Sequence, residues 1–179
     1  MQIPHLPSFN NRVSAHRHLN GGGWVADTAK VADTVYIGPY TQVAEDTIIL
    51  DHARIDNYAT IFGKAKVSGN AYIGGKTIVG GNAIISGRAY IDGYSVISSD
   101  AKITGGDFLH IVFNDGVCNA YPLVDGSIYF RYGNLELPLM YLTRNTKRWS
   151  AARFNLKDLK SFTIGVTIAK TFFKERQVH

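Results

Sequence analysis

The sequence predicts a mainly β chain, in which residues 24–106 coil into a prism of parallel strands and a small α+β module follows. Three regularities predict the prism. Val or Ile recurs every six residues at fourteen consecutive positions, from Val25 and Val31 through Ile73 to Ile97 and Ile103. Four positions after a rung the residue is small, as at Ala29, Thr41, Ala53, Ala71, Ala83 and Ser95, and only Val35 is larger. Two positions after a rung stands a turn former: Asp27, Asp33, Pro39, Glu45, Asp51 and Asn57 first, then glycine each time from Gly63 to Gly93.

Six residues make one short strand and one corner. The β-branched rung suits the strand and points inward while its two neighbours point out. The turn former bends the chain, and the small residue fits the crowded inside of the corner. Three such sides close a triangular coil of 18 residues. Stacked coils pair strand on strand in parallel, about 4.8 Å apart, so residues 25–106 form roughly four and a half coils, about 20 Å tall. No single coil can bury its Val and Ile alone, so the stack is the folding unit. An ordinary β-sandwich would need alternation at period two, which this region lacks.

The ladder, with motifs such as VSGNAY (67–72), VGGNAI (79–84) and ISGRAY (85–90), resembles the hexapeptide repeat of left-handed parallel β-helices. The stretch NGGGWVADTAKV (20–31), followed by VYIGPYTQV (35–43), is similar to repeat proteins of bacterial and phage genomes, mostly without assigned activity. The resemblance implies a left-handed coil, against the usual right-handed crossover, and a homotrimer. It is specific for fold and not for function, because one fold carries many functions.

Three pieces follow along the chain. Residues 1–23, with Pro4, Pro7 and the Gly21–Gly23 run, are expected to cover the open end of the first coil, which would otherwise expose strand edges. Residues 24–106 form the β-helix, and the six-residue rule stops at Gly105–Gly106. Residues 107–179 form the α+β module. Turn signals at Asn114–Gly116 and Asp125–Gly126 separate strands Leu109–Phe113 and Ser127–Tyr132, and Pro138 marks an edge strand. Asn155 is expected to cap a short helix carrying Leu156, Leu159 and Phe162, with Gly165 as its stop.

Composition sets outer bounds. Cys118 is the only cysteine, so no disulfide forms within the chain, and a cytoplasmic setting is expected, the host cytoplasm if the chain is phage-encoded. The N-terminal residues have no apolar core of signal-peptide length, and no uncharged apolar run is long enough to span a membrane. The net charge of +5 is uneven. Residues 1–106 hold nine Lys/Arg and eight Asp/Glu, a balance of +1, and residues 107–179 hold ten and six, a balance of +4. Arg144, Lys147, Arg148 and Arg153 are the candidates for partner binding in that basic module, against the plainer role of a solvated face.

Catalytic signals are sparse. Hexapeptide-repeat acyltransferases use a histidine general base and a loop that breaks out of the coil. Here the ladder runs without an insertion, and the only histidine inside it is His52, at a corner. His110 lies beyond the repeat and is expected to pack in the tail module. His16 and His18 would face the same way in an extended segment, as in a zinc site of the gamma-class carbonic anhydrase kind, but a third ligand is not apparent, so no metal is expected. No cofactor motif is present.

The outward positions say more. Folded at period 18, one face carries Trp24, Gln42, Thr60, Ile78 and Val96 before its rungs and Ala26, Ala44, Phe62, Gly80 and Ser98 after them. A surface so apolar is normally covered by another chain or domain. A second face alternates Lys30, Ile48, Lys66, Ile84 and Lys102. The third holds Tyr36, Arg54, Tyr72 and Tyr90 in one column and Tyr40, Tyr58, Lys76 and Tyr94 in the next. These eight residues are the candidate binding site. They read either as a stacking ladder or subunit interface, or as a platform for nucleotide-like ligands or nucleic acid. Asp56 and Asp92 interrupt this face and count against a nucleic-acid groove.

The functional expectation is a non-catalytic homotrimeric binding or scaffolding protein with a protein partner or small ligand. Two alternatives stand beside it: an acyltransferase-like enzyme, and a phage-encoded sponge or inhibitor that binds nucleotide-like ligands or a host protein.

Overall fold

A computed structural model of the chain describes residues 13–98, 100–106, 108–113, 116–132, 135–138 and 159–176. The chain divides into two units, Met1–Gly106 and Asp107–His179.

The first unit is a left-handed parallel β-helix. Its strands are two or three residues long, and the rung is the inward residue of each. Tyr36–Ile37, Arg54–Ile55, Tyr72–Ile73 and Tyr90–Ile91 stack into one face. Trp24–Ala26, Gln42–Val43, Thr60–Ile61, Ile78–Val79 and Val96–Ile97 build the second, and Lys30–Val31 to Lys102–Ile103 the third. Register follows the 18-residue coil: Ile73 stands opposite Ile55 and Ile91, and Tyr72 opposite Arg54 and Tyr90. Coil-to-coil amides close the ladder, as where Tyr72 N–H donates to Ala89 O at 2.8 Å and Gly74 N–H to Ile91 O at 2.8 Å. Every rung except Val31 is at most 1% exposed. Val31 is half-buried because, among the described residues, no strand stacks above it.

The corners explain the change from acidic residues to glycine. Glu45, Asp51 and Asn57 sit at φ +58° to +61°, and the glycines from Gly63 to Gly93 at φ +64° to +80°. This left-handed region suits glycine and tolerates Asn and Asp better than β-branched residues. The acidic side chains also serve the next coil: Glu45 Oε2 accepts from Gly63 N–H at 3.0 Å, and Asp51 Oδ2 from Gly69 N–H at 2.8 Å. The same corner conformation predicts a contrast at Gly75. Any Cβ at Gly75 would fall 2.3 Å from the Gly93 carbonyl oxygen, so even Gly75→Asn, the residue Asn57 carries one coil above, should destabilise, though less than a β-branched residue. Gly75→Val puts a β-branched residue at φ +64° beside the Gly93 carbonyl and should cost about 3 kcal/mol. Equal melting temperatures for the two variants would contradict this account.

The prism's first end is closed partly by the chain itself. Strand Ala15–Arg17 runs antiparallel to Trp24–Ala26, with His16 opposite Val25. The turn between them returns to a second face: Ile37 N–H donates to Asn20 O, and Gly23 N–H to Ile37 O, both at 2.9 Å. These bonds occupy backbone groups that an open edge would expose. Pro4 and Pro7 lie outside the described residues.

The second unit holds a four-stranded antiparallel meander of Leu109–Phe113, Gly116–Pro122, Ile128–Tyr132 and Leu135–Pro138, in that order. Leu109–Phe113 matches the sequence reading, the third strand starts at Ile128 rather than Ser127, and Pro138 lies on an edge strand as read. Asp125 Oδ1 fixes the turn by accepting from Ser127 N–H at 2.9 Å. Asn114, Asp115, Asn155 and Leu156 lie outside the described residues.

One expectation fails here. Gly165 does not stop the helix, which runs unbroken from Leu159 to Arg176. Phe162, Val166, Ala169 and Phe173 recur on one face and are buried with Cys118, Ala120, Phe130 and Tyr132 of the sheet. A helical glycine costs about 1 kcal/mol relative to alanine. Burying two phenylalanines and a valine outweighs that.

Candidate binding face

The eight predicted site residues fall in two columns, and the two columns differ in kind. In the inner column the cation is met by a carboxylate of its own chain as well as by a ring. The Arg54 guanidinium carbon lies 4.1 Å from the Tyr36 ring centre, and the same guanidinium ion-pairs with Asp56. Tyr72 and Tyr90 stack with centroids 4.8 Å apart and planes 14° apart. The Tyr72 ring lies over Gly74, where a Cβ would fall 2.4 Å from its hydroxyl oxygen. Asp56 lies close over Gly38 in the same way. Rings and carboxylates therefore fit because alternate coils carry glycine beside them. Partial burial, then the nearby Asp92, Tyr90 and Asp56, push the Tyr72 phenol above the usual tyrosine range, with Arg54 opposing. Asp92 does the same to Tyr90, whose hydroxyl donates to it at 3.3 Å.

The corner column is exposed, as is Tyr90 of the inner column at 65%. Tyr40, Tyr58 and Tyr94 are 65%, 59% and 63% exposed. Tyr40 and Tyr58 stack with centroids 5.4 Å apart and planes 21° apart. Lys76 interrupts the stack, its Nζ 5.5 Å from the Tyr94 ring centre. The column itself carries no carboxylate, and among the described residues no carboxylate ion-pairs with Lys76.

The apolar face is partly covered from within. Val13 and Ala15 pack with Trp24 and Phe62 on buried Ala26 and Ala44. Phe62 also lies over Gly80, where a Cβ would meet its ring at 2.4 Å. Gln42 is buried in this face, and among the described residues its Oε1 has no hydrogen-bond partner. Ile78, further along, stays 42% exposed.

The histidines separate. His52 is exposed at its corner. His110 bonds Asn119 Oδ1 at 2.8 Å across two strands of the second unit. His16 Nδ1 lies 2.8 Å from Asp27 Oδ1, and Asp27 also accepts from Ser14 Oγ. These two bonds, Ser14 first, hold the Asp27 carboxyl below the usual range. His18 is buried and bonds the Asn20 carbonyl at 3.2 Å instead. Among the described residues no three metal-ligating side chains of His, Cys, Asp or Glu come together. Cys118 is fully buried in the core between sheet and helix, and burial pushes its thiol up to about 12. Among the described residues no helix is long and apolar enough to cross a membrane.

Sequence reasoning took the segment around His16 as extended but missed its pairing with Trp24–Ala26 and the Arg17 guanidinium, 4.2 Å from the Trp24 ring centre and bonded to the Gly22 and Pro39 carbonyls. The signal was there in the alternation of AHRHL ahead of a glycine turn. The basic candidates Arg144, Lys147, Arg148 and Arg153 lie outside the described residues.

Comparison with known proteins adds one finding. The family model of the GMPPB C-terminal domain matches residues 19–118, more than half of the chain and the whole ladder. No curated protein and no solved structure matches.

Proposed function

Because the chain belongs to the GMPPB C-terminal domain family, we propose that it is a non-catalytic β-helix module that assembles as a homotrimer and serves as a scaffold. The family model describes a domain of a larger enzyme class, the sugar nucleotidyltransferases, in which this fold recurs. In the proposed reading the chain keeps the fold's assembly role and carries out no reaction itself. The observation that carries the proposal is the apolar face. Val13 and Ala15 cover its first part, yet Ile78, in register with Thr60 and Val96, remains 42% exposed. Thr60, Val96 and Ser98 extend the same surface. An exposed apolar strip gains from being covered by another copy of the chain, and the threefold arrangement is what the resemblance to hexapeptide-repeat proteins implies. The tyrosine-lined face then stays available to a ligand or protein partner. Cytoplasmic residence, and closeness to repeat proteins of phage genomes, belong to this proposal as well.

Light scattering tests it. Wild-type protein at micromolar concentration should have three times the chain mass. Ile78→Asp should shift it to monomer without loss of the circular-dichroism signature of the β-helix, because Ile78 points out of the core. A wild-type monomer would refute the trimer. The acyltransferase alternative makes the opposite demand on His52. Turnover of acetyl-CoA with amine or hydroxyl acceptors, abolished in His52→Ala, would overturn the non-catalytic reading.

A further inference from the structure

We infer that the level of Lys76 in the corner column is an open slot for one planar aromatic ring carrying an anion, and that the fitting ligand is a free mononucleotide. The inner column shows what a filled slot looks like. There Arg54 occupies the level between Tyr36 and Tyr72, its planar guanidinium 4.1 Å from the Tyr36 ring centre and its charge met by Asp56. The corner column repeats the pattern with a different residue. Lys76 occupies the level between Tyr58 and Tyr94, but an ammonium on a flexible stem offers no plane to stack. Its Nζ lies 5.5 Å from the Tyr94 ring centre, and among the described residues no carboxylate pairs with it.

The dimensions suit one ring. Tyr58 and Tyr94 stand two coils apart, about 9.6 Å at the strand spacing of a β-sheet. A ring inserted midway would lie about 4.8 Å from each. The chain already stacks its own rings at this spacing, with centroids 4.8 Å apart for Tyr72 and Tyr90 and 5.4 Å for Tyr40 and Tyr58. The incoming ring would continue the ladder as an extra rung. Both flanking rings are about three-fifths exposed, so entry needs only the Lys76 stem to swing aside. The Lys76 ammonium would then pair with the ligand's anion at the rim. A base stacked between tyrosines with its phosphate on a lysine satisfies both parts.

Charge favours a mononucleotide over a nucleic-acid strand. The slot has one cation, enough for one phosphate. Asp56 and Asp92 stand on the neighbouring column and would repel a phosphate backbone crossing this face. The slot forms within one chain, so it stands or falls apart from the trimer.

The test is a titration of the full chain, carbon-13 labelled in its tyrosine rings, with adenosine 5′-monophosphate at low salt. Saturable shifts of the Tyr58 and Tyr94 resonances are expected, with Tyr36 unmoved. Tyr58→Phe should bind as wild type, and Tyr58→Leu about 5- to 150-fold more weakly. Lys76→Gln should weaken the nucleotide about tenfold and leave adenosine binding unchanged. No saturable shift at millimolar nucleotide would overturn the slot. So would Tyr58→Phe binding as poorly as Tyr58→Leu, or ribose 5-phosphate binding as well as the nucleotide. An eight-residue single-stranded oligonucleotide bound tenfold more tightly than the mononucleotide would overturn the choice of ligand. Light scattering on the same samples reports the oligomeric state separately.

Discussion

Ile73→Asp is expected to unfold the β-helix. Ile73 is fully buried and stands in register between Ile55 and Ile91, which are also fully buried. Its carbonyl accepts from Asp56 N–H at 2.9 Å, so the backbone at this level is fixed and cannot turn the side chain out to water. The interior of a triangular coil is three rungs wide and lined by buried Val and Ile. Losing the isoleucine alone costs about 2–5 kcal/mol. Burying an unpaired carboxyl, even protonated, adds several more. The sum is comparable with the whole stability of an ordinary domain, about 5–15 kcal/mol. Ile73→Val, which removes one methyl group and keeps the β-branch, should cost only about 0.5–1.5 kcal/mol. Thermal unfolding followed by circular dichroism decides the matter. An aspartate variant that melts within a few degrees of wild type would remove Ile73 from the core and with it the ladder account.

The β-helix was legible because its constraint is local and repeated. Each coil imposes the same demands at the same offsets, so a β-branched rung, a small corner residue and a turn former recur until chance is excluded. The columns of the tyrosine face follow by arithmetic, and the structure brings Tyr36 to Arg54 and Tyr72 to Tyr90 as the 18-residue period requires. Period alone could not tell which column pairs its cation with a carboxylate. That depends on whether a side chain finds a partner: Arg54 ion-pairs with Asp56, whereas Lys76, one coil further on in the next column, meets a ring. Nor could period foresee that Val13 and Ala15 fold back over Ala26 and Ala44, because the segment before the ladder has no repeat to read. The tail module was harder for a different reason. Its helix is specified by tertiary contacts, and its local signals point elsewhere.

That helix supplies the second large effect. Phe162→Ala is expected to destabilise the second unit by about 3–5 kcal/mol. The segment LKSFTIGVTIAKTFFKER contains Thr163, Ile164, Val166, Thr167, Ile168 and Thr171, all β-branched, together with Gly165. Such residues lower helix propensity. An isolated helix of this length is marginal in water even with good formers. The helix therefore persists because the sheet holds one of its faces. Phe162 is central to that contact: it is 2% exposed and meets the rings of Phe130 and Tyr132 edge-on, at 5.8 Å and 6.0 Å between centroids. Truncation leaves a cavity between helix and strands and removes both ring contacts, and Val166, Ala169 and Phe173 remain as the anchors. Amide hydrogen exchange over Leu159–Arg176 measures the outcome. Protection should fall sharply in Phe162→Ala and stay near wild type in Ile164→Ala, since Ile164 is 42% exposed and lies off the packed face. The β-helix amides, in a separate unit, should keep their protection. Unchanged protection across the helix in Phe162→Ala would show that local propensity, not packing, holds it.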